Sequence, residues 1–380
     1  MMQSPDTQDG ALEIVRGSIA ERRSLRIVGG GTRSALGRAV AADAELSVSR
    51  LTGITLYEPA ELVMSARAGT PLAEIEQTLE ARGQMMAFEP PDWRAVLQAD
   101  GVPTIGGVFA VNASGPRRVA SGAARDHLLG VTFINGRGER HRAGGRVMKN
   151  VTGLDVTKLV CGAYGTLGLM TEVTFKVLPR AGFEQTLVID EADAAAAVDL
   201  MTRAMGSPFE VSGAAWRNEQ VLLRIEGVAQ SVRYRIGSLS SRLRREGVIV
   251  EGEQSSSIWR GVRTLEALDT QADTEIWRIS VAPSKASAVL QAIPADANLL
   301  LDWSGGLIWV ATRQPLERQL RPAAAQLGGH AMLFRAEAER RHAVLPFHPL
   351  PAATKRLTQG LKASLDPSGL FNPGKMYEDI

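Results

Sequence analysis

The sequence predicts an α+β protein in two unequal halves with a short tail, on three observations. Glycine is concentrated early: of 38 in the chain, 14 fall within the 70 residues from Gly101 to Met170. Glycine costs backbone entropy, so such crowding marks places where φ is positive or where main chain approaches a ligand closely. Beyond Pro179 glycine thins, and strand and helix signals alternate regularly. That alternation passes twice through strand, helix, strand, strand, helix, strand, which predicts a ferredoxin-like duplication with helices on one face of an antiparallel sheet. A chain of 380 residues has room for two or three domains of roughly 150 each. The boundaries are placed at 1–180, 181–345 and 346–380.

The first half begins with a helix carrying Leu12, Val15 and Ile19 at helical spacing, then the short apolar strand Leu25–Val28. Strands Leu46–Val48 and Leu62–Ala66 follow. Thr70 is expected to cap a helix starting at Pro71, with Leu72, Ile75 and Leu79 as its buried stripe and Gly83 at its end. Residues Gln84–Gly130 read as loop-rich. Asn135-Gly136 predicts a hairpin between Val131–Ile134 and Glu139–Arg142. A short helix, Asp155–Cys161, then leads through Gly165-Thr166-Leu167-Gly168 into strand Met170–Leu178.

In the second half the first pass comprises strand Thr186–Ile189, helix Ala192–Met205, strands Val211–Trp216 and Val221–Ile225, helix Ser231–Arg245 and strand Val248–Glu251. A linking helix is expected around Ile258–Leu268. The second pass comprises strand Ile276–Val281, helix Lys285–Ile293, strands Leu299–Trp303 and Leu307–Ala311, helix Leu316–Leu327 and strand Met332–Arg335. The proline-rich tail from Pro346 carries one amphipathic helix, Thr354–Leu365.

Composition narrows the function classes. Lys plus Arg number 43 against 41 Asp plus Glu, too small an excess to support a nucleic-acid surface. The longest stretch without charge, Gly101–Pro116, is 16 residues, short of the ~18–20 apolar residues of a membrane span. With no basic region and apolar run at its start and a single cysteine, Cys161, the chain reads as cytoplasmic. Cys161 is expected to pack as a small side chain.

Three stretches carry the chemistry. Gly29-Gly30-Gly31-Thr32-Arg33-Ser34 follows a strand and is either a phosphate nest of backbone amides or a plain glycine turn. It lacks the Gly-Lys-Ser/Thr of a Walker A loop and the G-x-G-x-x-G of a Rossmann turn. A second stretch runs from Glu89-Pro90-Pro91-Asp92 through Thr104-Ile105-Gly106-Gly107 to Asn112-Ala113-Ser114-Gly115, with Arg117, Arg118, Arg125 and Asp126 nearby. The third runs from Lys149–Asp155 to Gly165-Thr166-Leu167-Gly168-Leu169-Met170-Thr171-Glu172.

In this order, these stretches and the closing Asp366-Pro367-Ser368-Gly369-Leu370-Phe371-Asn372-Pro373-Gly374-Lys375-Met376 resemble the vanillyl-alcohol oxidase/PCMH family of FAD-linked oxidases. Gly144–Val151, Trp277–Ser280 and Asp302–Gly306 are similar to the smaller FAD-binding subunits of bacterial glycolate oxidases. The resemblance implies a PCMH-type FAD-binding domain of two α+β subdomains, a cap domain, and a tail that returns to the FAD domain. It implies noncovalent FAD, since neither Gly29–Ser34 nor Arg117–Gly122 holds the His or Cys of covalent relatives. Its pyrophosphate would meet the amides of Gly29, Gly30, Gly31, Thr32, Arg33 and Ser34 and of Thr104, Ile105, Gly106 and Gly107. A side chain at Gly30 would then stand against that pyrophosphate. The adenine end would lie near Pro90, Pro91 and the strand after Gly168, beside Gly165, Thr166 and Thr171. Asn112, Gly115, Arg125 and Asp126 would surround the flavin.

The implied activity is oxidation of glycolate to glyoxylate, with electrons passed on through a larger FAD-containing subunit and an iron–sulfur subunit, and peripheral contact with the inner membrane through that complex. The alternative is a self-sufficient FAD-dependent oxidoreductase of 2-hydroxy acids or alcohols. Catalytic relatives place a His-x-His metal and substrate motif in their C-terminal half, and this chain has no counterpart, so no metal is expected. Val108, Leu154 and Tyr164 also stand where those relatives carry other residues. Arg278, His330 and Arg335 are the remaining catalytic candidates: the arginines as carboxylate clamps or snorkelling side chains, His330 as a site group or a structural one. The run Arg233, Arg235, Arg242, Arg244, Arg245 is a solvated helix face or a dock for an acidic partner.

Overall fold

A computed structural model describes residues 2–146 and 155–380. The stretch Lys149–Asp155, apart from Asp155, lies outside the described residues, as does Val147–Asn150 of the Gly144–Val151 stretch. Among the described residues the first half builds two larger sheets and a two-stranded antiparallel pair, Gln84–Met85 with Leu178–Pro179. Met2–Gln3, Ala44–Ser47 and Leu25–Val28 form a three-stranded parallel sheet in that order. Helix Gln8–Ala20, capped by the Thr7 hydroxyl on the Gly10 amide at 3.1 Å, buries Ala11 and Val15 against the core of that sheet. The second sheet is antiparallel, in the order Ile54–Glu58, Val63–Arg67, Leu169–Lys176, Leu128–Ile134, Arg140–Gly144. Its outer strand Ile54–Glu58 was not legible: no residue in it is fully buried, so no clean alternation marks it.

One local expectation is corrected. Thr70 is not the cap of helix Leu72–Glu80; Pro71 occupies that position, and the Thr70 hydroxyl instead donates to the Arg67 carbonyl at 2.7 Å and accepts from the Gly53 amide at 3.0 Å. The hairpin expected around Asn135-Gly136 is present, with Leu128–Ile134 paired antiparallel to Arg140–Gly144. The loop spans Asn135–Glu139, Gly138 carries the positive φ of 70°, and the Asn135 amide oxygen accepts from the Arg137 and Glu139 amides. Gly136 serves a different contact: a Cβ there would stand 2.1 Å from the Asp366 carboxylate.

Residues beyond Pro179 form one eight-stranded antiparallel sheet. Its order is Val248–Glu251, Phe183–Asp190, Gln220–Gly227, Val211–Arg217, Asn298–Asp302, Leu307–Thr312, Glu275–Ser280, His330–Arg335. In each six-element pass the strands thus lie in the order fourth, first, third, second. The two passes join through their second strands, where Trp216 faces Leu301 and Arg217 faces Leu300. Helices Ala194–Met205, Ala229–Leu243 and Glu317–Gln326 bury one face with Leu187, Leu223, Trp277 and Ile308. The other face, with Ala215, Leu222, Ile276, Leu300, Trp309 and Phe334, shares a core with Phe88, Phe109 and Phe175 of the first half. Beyond the outer strand His330–Arg335, the Pro346 carbonyl and the His348 ring accept the Leu333 and Ala331 amides, closing an otherwise open sheet edge.

The tail after helix Ala352–Leu365 threads back to the first half. Phe371 bridges Leu25, and the Asn372 amide accepts from Ile27 N–H at 2.7 Å while donating to the Tyr164 carbonyl at 2.8 Å. Buried Lys362 holds the turn, its ammonium donating to Thr166 O and the Asp366 carboxylate at 2.7 Å each and to Phe371 O at 3.0 Å. Lys362→Met would leave the Asp366 carboxylate buried without its cation, a loss of about 3–5 kcal/mol. Denaturant titration should show that loss, and a variant as stable as the parent would remove Lys362 from the architecture.

Candidate functional site

A cavity of about 430 Å³ opens where the two larger sheets of the first half meet the tail. Its floor is the loop Gly29–Ser34. Gly31 has φ of 79°, and among the described residues the amides of Gly30, Gly31, Thr32 and Arg33 meet no acceptor within the chain. N–H groups without a partner on a turn beside a cavity are the arrangement that an anion nest requires. Gly30 has a different task from the one its motif suggests. A Cβ there would lie 1.7 Å from the Val102 carbonyl oxygen, inside main chain and away from any ligand. Gly101 answers it, with its own Cβ direction 2.1 Å from the Gly30 carbonyl.

The second glycine pair is also corrected. Thr104 caps helix Ile105–Ala110, its hydroxyl accepting from Gly107 N at 3.3 Å. The Ile105 amide donates to Thr70 O at 3.1 Å and Gly106 N to Ala68 O at 2.8 Å. These three amides are therefore occupied and offer no second phosphate cradle. Gly106 is small because a Cβ would come within 2.7 Å of Ala68, and Ile105 is core. Thr104, Gly106 and Gly107 line the cavity by surface alone.

Cations converge on the cavity from distant parts of the chain. Lys375 donates to Ser34 O at 2.9 Å, and Arg341 to Ala35 O. Burial, with Arg341 and Arg26 close by, lowers the Lys375 ammonium to about 8. Arg33 donates to Pro91 O at 2.8 Å and lies 5.7 Å over Trp93. Burial lowers its guanidinium to about 10 despite Asp92 and Tyr164. Lys375 lies in the closing stretch that resembles the FAD-linked oxidases, whereas Arg341 carries no sequence signal; more than three hundred residues separate each from the loop it meets. Gly165 and Gly168 line the same cavity. Thr166 and Thr171 do not: their hydroxyls donate to Ala163 O at 2.7 Å and Thr132 O at 3.1 Å.

A smaller cavity of about 250 Å³ shares the walls Val111 and Tyr164. Asn112, Arg118 and Arg125 reach it from the first half, and Arg278, Ser280, His330 and Met332 from the large sheet. The register explains the last four: Arg278 faces Met332 and Ser280 faces His330 across neighbouring strands, so all share one face. Asn112, at φ of 52°, accepts from Arg125 N at 2.9 Å. Asp126 turns away, accepting the Ala123 amide at 2.9 Å. Arg335, the remaining catalytic candidate, donates to the Thr270 and Gln271 carbonyls at 3.0 and 2.9 Å and fixes a turn instead. Cys161 is buried, which pushes its thiol up to about 12 and leaves it inert.

Glu89-Pro90-Pro91-Asp92 proves to be a clamp between the halves. Glu89, at φ of 47°, accepts from the Arg224 guanidinium at 2.9 and 3.1 Å and from Arg117 N at 2.7 Å, while Arg117 also pairs with Glu226. Pro90 and Pro91 consequently do not line the large cavity. Gly115 belongs to the same seam: its carbonyl accepts from Trp303 Nε1 at 3.0 Å, and a Cβ would stand 2.4 Å from Glu89 O.

This geometry has known counterparts. An FAD binding domain model matches residues 3–144. Over 381 residues, spanning all of both chains, the sequence is 35% identical to glycolate oxidase subunit GlcE of Escherichia coli (strain K12). The chain belongs to the GlcE family. As a GlcE-type flavoprotein it carries an FAD-binding domain, and the GlcE-like chain also matches part of two longer proteins. It is 32% identical to glycolate oxidase subunit GlcD of Bacillus subtilis (strain 168) over 36% of this chain and 28% of that one. It is 31% identical to a D-lactate dehydrogenase of Anaerostipes hadrus over 38% and 29%. The fold is PCMH-type: p-cresol methylhydroxylase superposes with a TM-score of 0.73 over 100% of this chain and 88% of that one, at 11% identity. No helix among the described residues is long and apolar enough to cross a membrane, and no cluster of three or more metal-type ligands occurs among them.

Two outcomes follow from the geometry. Gly30→Val should cost about 3 kcal/mol of stability in the FAD-free protein, because overpacking here meets main chain; an unchanged melting temperature would contradict the contact. The clamp should also show in the pH dependence of stability. Burial alone would raise Glu89, but Arg224 and Arg117 outweigh it and hold the carboxyl at about 2, below its ordinary 4.5. A lowered carboxyl contributes stability above pH 4.5 and loses it as pH falls toward 2. The stability gap between the parent and Glu89→Gln should therefore be widest near neutrality and close across that window, and a constant gap would refute the assignment.

Proposed function

We propose that this chain is the FAD-carrying subunit of a glycolate oxidase that converts glycolate to glyoxylate, working with a larger flavoprotein subunit and an iron–sulfur subunit. The observation that carries the reading is the identity to GlcE over the full length of both chains, and the match of one segment to GlcD agrees with a shared system. Cys161 is the one cysteine, so an iron–sulfur centre needs a partner's thiolates. Contact with the inner membrane would come through those partners.

Residues 1–180 with the tail 346–380 would hold FAD, and 181–345 would cap it. The free amides of Gly30–Arg33 fit a pyrophosphate, and Lys375 and Arg341 supply its countercharge. Gly165 and Gly168 leave a flat wall, and Asn112 and Arg125 border the flavin end. Bound there, FAD would supply a ring that accepts a hydride and releases electrons singly. This chain's part is to orient the cofactor and exclude water.

FAD should be noncovalent, because no His or Cys lines the large cavity among the described residues. Acid precipitation should release yellow flavin to the supernatant; colour retained in the pellet would overturn this. Gly31→Ala forces a Cβ into the left-handed region in open cavity space, and FAD affinity should fall about tenfold, about 1.4 kcal/mol, with the fold intact. Co-purification from the native host, read for partners and bound flavin together, tests the whole reading. Recovery of the chain alone and colourless would defeat it.

A further inference from the structure

The smaller cavity has an electrostatic imbalance inside a nearly neutral protein. Arg118 stacks over the Trp303 indole at 4.2 Å, and Arg278 approaches the same ring at 5.4 Å and Trp309 at 5.8 Å. Trp303 is immobilised by its indole N–H on Gly115 O at 3.0 Å. Neither guanidinium has a carboxylate within ion-pair distance among the described residues. Elsewhere at this seam the chain supplies one: Arg117 and Arg224 receive Glu89 and Glu226. The carboxylate acting on Arg118, Asp126, is engaged by the Ala123 amide.

Burial lowers Arg278 to about 10, Tyr164 partly restores it, and Arg118 lowers it further by a smaller amount. Two cations that line one partly desolvated cavity and approach the same indole are stabilised by an anion that pairs with both. Leu36, Trp93, Met332 and Phe334 close the remaining walls. At about 250 Å³ the space suits a compact anion. Asn112, the Tyr164 hydroxyl and the ring of His330 border it with groups suited to a hydroxyl or carbonyl beside that anion.

We propose that this cavity is a small-carboxylate site of the chain itself, in which Arg278 and Arg118 clamp the carboxylate of a 2-hydroxy or 2-oxo acid. The inference rests on the function proposed above, which it deepens by giving this chain its own acid-binding pocket even where turnover needs a partner. The cavity does not require a metal motif to bind, so the absence of a His-x-His pattern from the sequence does not bear on it.

The test uses the full chain, with FAD and after its removal, titrated separately with glycolate, oxalate, neutral glycolamide and inorganic phosphate. Tryptophan fluorescence reports Trp303 and Trp309, and the visible difference spectrum reports the flavin. Glycolate and oxalate should give saturable changes and glycolamide none. Arg278→Met should weaken the response at least tenfold, Arg278→Lys less, and the surface variant Arg242→Met not at all. Should Arg278→Met fail to fold, Arg118→Met is read in its place. No saturable response, an undiminished one in both Met variants, or phosphate binding as tightly as glycolate would overturn the proposal while leaving FAD binding untouched. A chain that never binds FAD would instead defeat the functional reading, and the FAD-free titration would still decide the cavity.

Discussion

The site depends on a close approach of two main-chain segments. Gly30 and Gly101 face each other so tightly that neither can carry a Cβ, since each Cβ direction ends about 2 Å from a carbonyl of the opposing segment. Gly29 stands against the Thr104 side chain in the same way, and Thr104 in turn caps the short helix whose Gly106 lies on Ala68. The contact therefore runs from the parallel sheet, through the loop, to the strand Val63–Arg67 of the antiparallel sheet. With the loop anchored from behind, the amides of Gly30–Arg33 remain free at its front. An anion nest needs N–H groups that are held in place yet unpaired, and the glycines meet that need by packing as much as by torsion freedom.

Buried charge secures the other joints. The seam holds Glu89, Arg117, Arg224 and Glu226 as two acids against two bases, so desolvation is balanced by pairing. Lys362 and Asp366 do the same for the tail. Such clusters contribute little net stability compared with an apolar contact, but they admit few alternative arrangements. Asp302 shows the cost when no cation is close enough: burial raises its carboxyl to about 7, with the Trp303 amide as its hydrogen-bond donor. At the two cavities described above, Lys375, Arg341, Arg118 and Arg278 have no carboxylate within ion-pair distance among the described residues, whereas Arg26 keeps Glu45 at 3.0 Å.

The sequence was most legible where periodicity is strong. Strands Leu25–Val28 and Val248–Glu251 fall at their expected bounds, and the duplicated second half follows the expected order of elements. The loss was greatest where a residue's role depends on a distant neighbour. Thr70, Gly136 and Glu89 carry signals of cap, turn and ligand loop, yet each answers a partner remote in the chain. The glycine motifs correctly mark close approach but do not say what approaches. At Gly31 it is open cavity, at Gly30 and Gly106 it is protein. Lys375 is marked only by the resemblance of its closing stretch, and Arg341 carries no local signal of a site, because charge near the C-terminus looks the same whether it faces solvent or a cavity.

The distribution of charge links the cofactor to the fold. The whole chain has a formal charge of only +2, yet Arg33, Arg341 and Lys375 gather at the large cavity and Arg118, Arg125 and Arg278 at the small one. Partly desolvated cations of one sign raise the free energy of the ligand-free protein, as the lowered Lys375 and Arg278 indicate. A diphosphate bound as proposed would remove that strain in one cavity, and its binding energy would add to folding by mass action. It would also join the loop Gly29–Ser34 to Lys375 of the tail, two segments already linked by the Lys375 contact to Ser34 O. A cofactor in the proposed position would thus reinforce a contact between the loop and the tail, and the chain would be less stable without it.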